Sequence, residues 1–351
     1  MTRADRLEEL LRERELDALV VTNLVNVRYL TGYTGTNGVC VLGDGRRVFL
    51  TDFRYMTQAS GEVDGFDIEL GRQDLLEDAA RHVSGRVGFE DFTMTVRQLE
   101  RLRGFVPDGT ELVPAGRLVE QLRAVKEAGE LRAIRAAAAL ADQVLEGIPE
   151  RGLTGRSERD VAVELEAEMR RLGSDPSFTS IVAAGANGAL PHAQPGHDPI
   201  ARDTLVVVDM GCVVDGYCSD CTRTFATGTI PDDAAEVYEL VLKTQTASLE
   251  QVRPGAACSD VDAFARERIT EAGYGERFGH GLGHGVGLEV HELPTLSRMG
   301  EGELRAGHVV TVEPGIYLPD RFGVRIEDLV VVDDSGCDVL SAFPKELTTV
   351  G

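Results

Sequence analysis

Tryptophan is absent, and aromatic residues make up only 5% of the 351-residue chain, so a stacking platform for bases or sugars is not expected. Positive charge is also scarce: 36 Lys and Arg stand against 59 Asp and Glu, a formal balance of −23. That sign argues against nucleic acid or an anionic membrane as partner, and its plainest consequence is solubility. No run approaches the roughly 18 apolar residues of a membrane span. The opening Met1-Thr-Arg-Ala-Asp-Arg-Leu-Glu-Glu-Leu-Leu is charged and helical in spacing, and lacks the apolar stretch of a signal peptide. The six cysteines do not show the spacing of a disulfide framework. Together these absences imply a cytoplasmic protein with reduced thiols.

The length suits two domains better than one. Asp5 to Arg14 has helical apolar spacing, and Ala18 to Thr22 reads as a buried strand. Val39 to Leu50 reads as two strands joined by Gly43-Asp44-Gly45. Leu75 to His82 looks helical and Arg86 to Phe89 returns to strand, so an α/β first domain is predicted over residues 1–122. A long Ala-, Glu- and Arg-rich helical pattern from Arg123 to Leu145 opens the second domain, 123–351, and a further helix is predicted from Ser157 to Leu172. Beyond it, strand-like runs at Leu205–Asp209, Tyr217–Phe225, His308–Glu313 and Gly323–Val332 are separated by helical patterns at Ala234–Val252 and Ser259–Ala272. The second domain therefore reads as α+β, with no strong internal repeat.

Acidic residues inside those apolar runs are the first anomaly. Asp209 ends Leu205-Val-Val-Val-Asp, and Asp220 lies within Tyr217-Cys-Ser-Asp-Cys-Thr-Arg-Thr-Phe. A turn at Val214-Asp215-Gly216 would pair the two runs and bring both carboxylates together, where they repel unless a cation or a shared proton intervenes. Hard divalent ions suit carboxylate oxygen. Glu313 and Glu327 repeat the pattern, one ending Val309-Val-Thr-Val-Glu and the other following Val324-Arg-Ile. Each acid alone has a plain reading as a strand-terminal or exposed residue, but an unpaired carboxylate in apolar surroundings is costly, and four such placements ask for one explanation.

Three histidines follow in His280-Gly-Leu-Gly-His284-Gly-Val-Gly-Leu-Glu-Val-His291. The glycines would let backbone approach closely. The stretch does not fit a GxGxxG fingerprint in any register, nor does His291-Glu292 continue to HExxH. Cys218-Ser-Asp-Cys221 is a CxxC without a second pair to complete a zinc site, and on a strand its cysteines face opposite sides.

With these residues in view, the chain resembles the pita-bread metallopeptidases, the family of aminopeptidase P, prolidase and methionine aminopeptidase. Asp209, Asp220, His284, Glu313 and Glu327 match its five metal ligands in the required order, within Gly216-Tyr-Cys-Ser-Asp-Cys-Thr-Arg-Thr-Phe, His280-Gly-Leu-Gly-His-Gly-Val-Gly-Leu, Thr311-Val-Glu-Pro-Gly-Ile-Tyr and Val324-Arg-Ile-Glu-Asp. Asn26-Val-Arg-Tyr-Leu-Thr-Gly and Thr51-Asp-Phe-Arg-Tyr are similar to the N-terminal domain of the Xaa-Pro peptidase branch. Cys221 departs from the pattern, standing where an apolar residue is usual.

The resemblance implies an α/β N-terminal domain serving oligomerisation and substrate-size restriction, followed by an α+β pita-bread catalytic domain. It implies two divalent ions, with Mn²⁺ ahead of Co²⁺ and Zn²⁺, Asp220 and Glu327 bridging, and a homodimer. Its substrates would be peptides with proline in the second position. Glu313 would take the proton of the attacking water, His291 would stabilise the oxyanion, and His192 would assist the leaving proline nitrogen. His280 and Arg325 are implied as supporting or substrate-end groups, and Phe178 is a candidate wall for the proline ring. Xaa-Pro aminopeptidase is the favoured reading and Xaa-Pro dipeptidase its nearest alternative. Methionine aminopeptidase fits less well because of the extra N-terminal domain. A metal-free creatinase-like relative or a binding module would be expected to lack ligands, and all five are present.

Overall fold

The computed structural model describes residues 1–43 and 45–351, and the chain divides into two units, Met1–Arg123 and Ala124–Gly351. The first unit opens with a helix at Arg3–Glu13, started by a reciprocal cap: the Thr2 hydroxyl accepts from the Asp5 N–H and the Asp5 carboxylate accepts from the Thr2 N–H. Its six-stranded sheet runs Asp67–Leu70, Arg46–Thr51, Val39–Gly43, Ala18–Val21, Arg86–Phe89, Glu111–Pro114. The expected hairpin pairs Val39 with Leu50 through Gly43 with Arg46; Asp44, the middle of its turn, lies outside the described residues. The helix expected over Leu75 to His82 is two pieces, an α-helix at Leu75–Ala79 and a 3₁₀ turn at Ala80–His82. The Asn26 to Gly32 motif is a short helix, Leu24–Thr31, closed by Gly32 at φ +83°, a backbone conformation glycine adopts freely. Asn26 is fully buried between the Glu90 carboxylate, to which it donates at 2.7 Å, and Arg123, from which it accepts at 2.8 Å.

In the second unit the helix predicted from Arg123 to Leu145 begins and ends later, at Ala128–Arg151. The Lys126 N–H is taken by the Gly307 carbonyl, and the Glu130 carboxylate accepts from the Glu127 N–H, so the chain is held out of the helix until residue 128. Pro149 falls in the last turn, where its missing N–H removes one hydrogen bond without stopping the helix. Ser157 caps the next helix, Glu158–Arg171. These two helices bury Ala141, Val144, Leu145, Val161, Leu165 and Met169 against Val206, Val208 and Met210 of the strand Leu205–Met210. Because strand side chains alternate, Asp209 is turned to the other face. Likewise Val310 and Val312 pack with Val237, Val241, Val261 and Ile269 from the helices Asp232–Leu249 and Cys258–Glu271, which leaves Thr311 and Glu313 on the opposite side. Among the described residues no helix is long and apolar enough to cross a membrane.

Two of the predicted strands are interrupted. Tyr217 to Phe225 divides into Tyr217–Cys218 and Cys221–Ala226, and Gly323 to Val332 into Phe322–Arg325 and Asp328–Val332. In the first hairpin, Met210 pairs with Cys221 in one sheet and Val213 with Cys218 in another; its turn, Asp215-Gly216, has positive φ at both residues, as a two-residue hairpin loop requires. In the second, Val312 pairs with Asp328 in one sheet and Gly315 with Arg325 in another. Each hairpin thus changes sheet midway, and the ladder opens where Asp220 leaves one strand and where Glu313 and Glu327 leave the other two. Periodicity alone does not register these openings, because the flanking residues remain apolar.

His308, 6% exposed, is kept neutral here. Its Nδ1 accepts the Arg305 N–H at 3.2 Å, and burial, with the charges of Lys126 and Arg305, pushes its pKa down to about 4. The unfolded chain, with a His near pKa 6.5, binds the proton more readily, so this contribution to stability is whole above about pH 6.5, declines as pH falls and is gone by about pH 4. Its full size is roughly 3 kcal/mol. His308→Asn, which keeps an acceptor and cannot titrate, is expected to flatten the fall of the urea midpoint between pH 7 and 4.5; an unchanged pH slope would exclude His308 as the cause.

Candidate metal centre

The two opened hairpins and a glycine-rich segment meet around one cavity of about 390 Å³. Asp209, Asp220, His284, Glu313, Glu327, His280, His291, His192 and Arg325 all line it, together with Phe178. His284 lies on the short strand Gly283–Gly285. A Cβ at Gly283 would come within 2.0 Å of the Thr311 carbonyl oxygen, and one at Gly285 within 2.2 Å of that of Leu293. Glycine on both sides is what lets this strand lie close enough to present His284 to the carboxylates.

The His284 Nδ1 is 3.1 Å from the Gly285 carbonyl oxygen, which directs the other nitrogen, Nε2, inward. Nε2 lies 3.2 Å from Glu313 Oε1 and 3.6 Å from Asp220 Oδ2. Glu313 also accepts from the Thr311 hydroxyl at 3.0 Å. Burial by itself would raise the Glu313 carboxyl, but the hydrogen bond and charge of His284, aided by His280 and Arg325, hold it down at about 2. Burial would likewise lower His284, and Glu313 outweighs it and raises the imidazole. Burial pushes Asp220 and Glu327 well up, and the other carboxylates add to it. Asp209 rises for the same first reason, although the Arg325 charge opposes it.

A cation fits this arrangement. Donor atoms of Asp220, His284 and Glu327 lie within 4.8 Å of one another. Glu327 Oε1 and one oxygen of a further acid, Asp209 Oδ1, are buried without a hydrogen-bond partner. Bare, buried, anionic oxygens are costly, and a mixed carboxylate and imidazole set is the donor chemistry of a divalent first-row metal.

The surrounding residues hold these groups in place. Arg325, 3% exposed, donates to Asp209 Oδ2 at 2.7 Å, to the Tyr317 hydroxyl at 2.9 Å, to Thr222 Oγ1 at 3.0 Å and to the Pro191 carbonyl at 3.3 Å. Thr222 in turn donates to Glu327 Oε2 at 2.7 Å. The His280 ring has Nδ1 at 2.8 Å from the Gly281 carbonyl oxygen and Nε2 at 2.9 Å from Tyr317 Oη. Arg325 thus contacts Asp209 directly, while His280 reaches it only through Tyr317 and Arg325. The His291 ring packs edge-on against His284, centroids 4.2 Å apart, and His192 faces the cavity from a loop.

Cys218 and Cys221 are both buried, and no disulfide joins them. Cys221 Sγ is 3.7 Å from the Glu327 carbonyl oxygen, so a small polarizable side chain occupies the apolar position beside the opening. Sequence reasoning passed over Tyr317, Thr222 and Thr311, which are ordinary strand residues by composition, and over Ile181, Pro191 and Val290, which join Phe178 as the apolar part of the cavity wall. Nothing local marks these six, since they reach the site from segments spread between residues 181 and 317.

Residues 132–334 match metallopeptidase family M24, and residues 3–125 match the creatinase/prolidase N-terminal domain. A peptidase of Bacillus subtilis, YqhT, is 40% identical over 348 residues, 98% of this chain and 98% of its own. Among solved structures, the Xaa-Pro dipeptidase from Bacillus anthracis is similar with a TM-score of 0.96 and 38% identity over 99% of both chains. The X-Pro aminopeptidase from Thermotoga maritima is similar with a TM-score of 0.90 and 33% identity over the whole of both chains.

Proposed function

The chain belongs to metallopeptidase family M24, with the pita-bread architecture of its structural neighbours, and we propose that it removes the N-terminal residue standing before proline in peptides longer than two residues. The observation that carries a metal-dependent reaction is the pair of buried, unpartnered oxygens, Asp209 Oδ1 and Glu327 Oε1, facing one cavity with His284. The similarity over the full length to an Xaa-Pro dipeptidase and an X-Pro aminopeptidase supports the Xaa-Pro bond as target.

Asp209, Asp220, His284, Glu313 and Glu327 would hold two divalent cations, Mn²⁺ first among them. When bound they polarise the scissile carbonyl and lower the pKa of the attacking water. Glu313 accepts the proton of that water; His284 and Thr311 fix the direction of its carboxylate. His291, against the His284 ring, presents a hydrogen bond to the developing oxyanion. His192 faces the proline nitrogen, which takes up a proton as the C–N bond breaks. An Xaa-Pro bond has no N–H to grip, so the apolar wall of Phe178, Ile181, Pro191 and Val290 serves for the ring instead.

Preference for the longer peptide rests on two features. Among the described residues lining the cavity, Arg325 is the one permanent cation, and its guanidinium is drawn to Asp209, Tyr317 and Thr222. Within this cavity a carboxylate directly after proline therefore meets no uncommitted cation; Arg266 and Arg298 line the adjoining hollow instead. A second hollow of about 410 Å³ adjoins the first along His280, Gly281 and Ser297, giving room for residues beyond proline. Six cysteines, none of them in a disulfide, suit a reducing, cytoplasmic setting. Dimerisation and size restriction by the first unit rest on the family resemblance.

The test is a matched pair, an Xaa-Pro dipeptide and an Xaa-Pro-Yaa tripeptide, offered to metal-stripped protein with Mn²⁺ added back. Tripeptide cleavage that requires Mn²⁺ is expected. Cleavage of the dipeptide alone makes the chain a dipeptidase, and Mn²⁺-dependent cleavage of neither overturns the substrate assignment.

A further inference from the structure

His192 is exposed to the cavity, and among the described residues its ring makes no hydrogen bond, so its position is set by the loop that carries it. That loop leaves the strand Ile181–Ala184 and returns near Gly196. Both of its ends converge on one side chain. Glu158, in the first turn of the helix Glu158–Arg171 and only 6% exposed, accepts from the Ala184 N–H at 2.6 Å through Oε1. Through Oε2 it accepts from Asn187 Nδ2 at 2.7 Å and from the Gly196 N–H at 2.7 Å.

A second set of bonds makes the same connection: Asn187 Nδ2 also reaches the Gln194 carbonyl at 3.2 Å, and the Arg159 N–H donates to the Gly196 carbonyl at 3.0 Å. Between these fixed ends the loop touches the metal-centre support, with the Pro191 carbonyl accepting from Arg325 at 3.3 Å. A hollow of about 360 Å³ lies beside Glu158, lined by Ala184, Asn187, Gln194 and Gly196, so packing does not substitute for the hydrogen bonds.

We infer that Glu158 is a positioning residue for His192: its carboxylate clamps the two ends of the 184–196 loop and so fixes the imidazole over the substrate side of the cavity. It lies on a different element from every metal-ligand candidate and lines none of the metal cavity. The role follows from the charge state as well as the shape. Three N–H donors converge on two acceptor oxygens, and a carboxylate is the side chain with no donor to oppose them. Glu158→Gln therefore places an amide N–H₂ against N–H groups, whereas Glu158→Ala leaves all three donors empty. The effect on catalysis rests on the reading of His192 given above; the effect on the loop does not.

The experiment separates the two. Hydrogen–deuterium exchange is compared for wild type, Glu158→Gln and Glu158→Ala, each loaded with Mn²⁺. Exchange over residues 185–196 is expected to quicken about tenfold or more in both variants, with 205–226 and 309–332 unchanged and metal content retained. Unchanged exchange in the loop overturns the clamp whatever the activity. On the tripeptide, kcat/KM is expected to fall about tenfold or more in both variants, and Glu158→Ala with His192→Ala is expected to be no slower than His192→Ala alone. Additive losses would show that Glu158 does not act through His192 and would also overturn it. If either variant loses its metal or its fold, Asn187→Ala, which removes one of the three bonds, is read in the same way with a smaller quickening. A wild type that cleaves no Xaa-Pro peptide defeats the functional reading alone, and the exchange measurement still decides the clamp.

Discussion

Glu313→Gln is expected to lower kcat/KM on an Xaa-Pro-Yaa tripeptide by about 10³-fold, the range over which a positioned general base acts. The side chain keeps its length and the contact its backbone N–H makes with the Leu282 carbonyl. It loses the negative charge that faces His284 Nε2 at 3.2 Å, and with it the capacity to accept a proton from water. The Thr311 hydroxyl that now donates to Oε1 at 3.0 Å can still donate to an amide oxygen, so the rotamer is retained and the fold is expected to be unaffected. The measurements are kcat/KM, bound metal per chain and the far-UV circular dichroism spectrum. Turnover near that of the wild type in a metal-loaded Gln variant would remove Glu313 from the mechanism. Loss of activity that returns in full at high Mn²⁺ would assign it to metal retention alone.

The second large effect is on stability and comes from behind the centre. Asp328 is fully buried, and it accepts from Arg223 at 2.9 Å, from Lys345 at 2.7 Å and from Gln245 at 2.9 Å. Arg223, 2% exposed, also donates to the Phe343 carbonyl at 3.0 Å and to the carbonyl of Glu327. Asp328→Ala leaves the Arg223 guanidinium buried without its counter-ion. Breaking a buried pair from one side costs roughly 3–5 kcal/mol, and that loss is expected in the urea unfolding of the variant. Removing both partners, as Asp328→Leu with Arg223→Met, is expected to recover part of it, since the buried guanidinium is then gone and only the partly exposed Lys345 ammonium loses its counter-ion. A loss below about 1 kcal/mol in Asp328→Ala would mean that water or a neighbouring side chain reaches Arg223 and would refute the argument. Because Arg223 grips the Glu327 backbone at the opening of the second hairpin, Mn²⁺ affinity is expected to fall together with stability.

Much of the chemistry was legible without coordinates. Asp209, Glu313 and Glu327 stand out because carboxylates do not belong in runs of Val and Ile, Asp220 because it lies within a strand-like run, and His284 because it is embedded in glycines. Those are local facts of composition; the reading of the five as one ordered set of metal donors came from the family resemblance. Elements with caps or strong periodicity were also legible: the helix Glu158–Arg171 begins directly after the Ser157 cap, and the strand Leu205–Met210 covers its apolar run.

Tertiary structure decided the rest, because the deciding contacts join residues far apart in sequence. The helix expected to start at Arg123 waits until Ala128, since the Lys126 N–H is claimed by Gly307. The strands through Asp220 and Glu327 open because the Glu327 N–H bonds across to the Thr222 carbonyl at 3.1 Å rather than along its own ladder. Arg325 was visible as a charge in an apolar run, but only its bonds to Asp209, Tyr317 and Thr222 show which way its guanidinium points. The apolar wall joins Phe178, Ile181 and Pro191 to Val290, about a hundred residues further along, with no shared pattern. The sequence by itself determined which atoms are available to hold a cation, through the cost of burying charge. Which of them face one another, and what holds them there, was decided by strand pairing and by hydrogen bonds that no local pattern encodes.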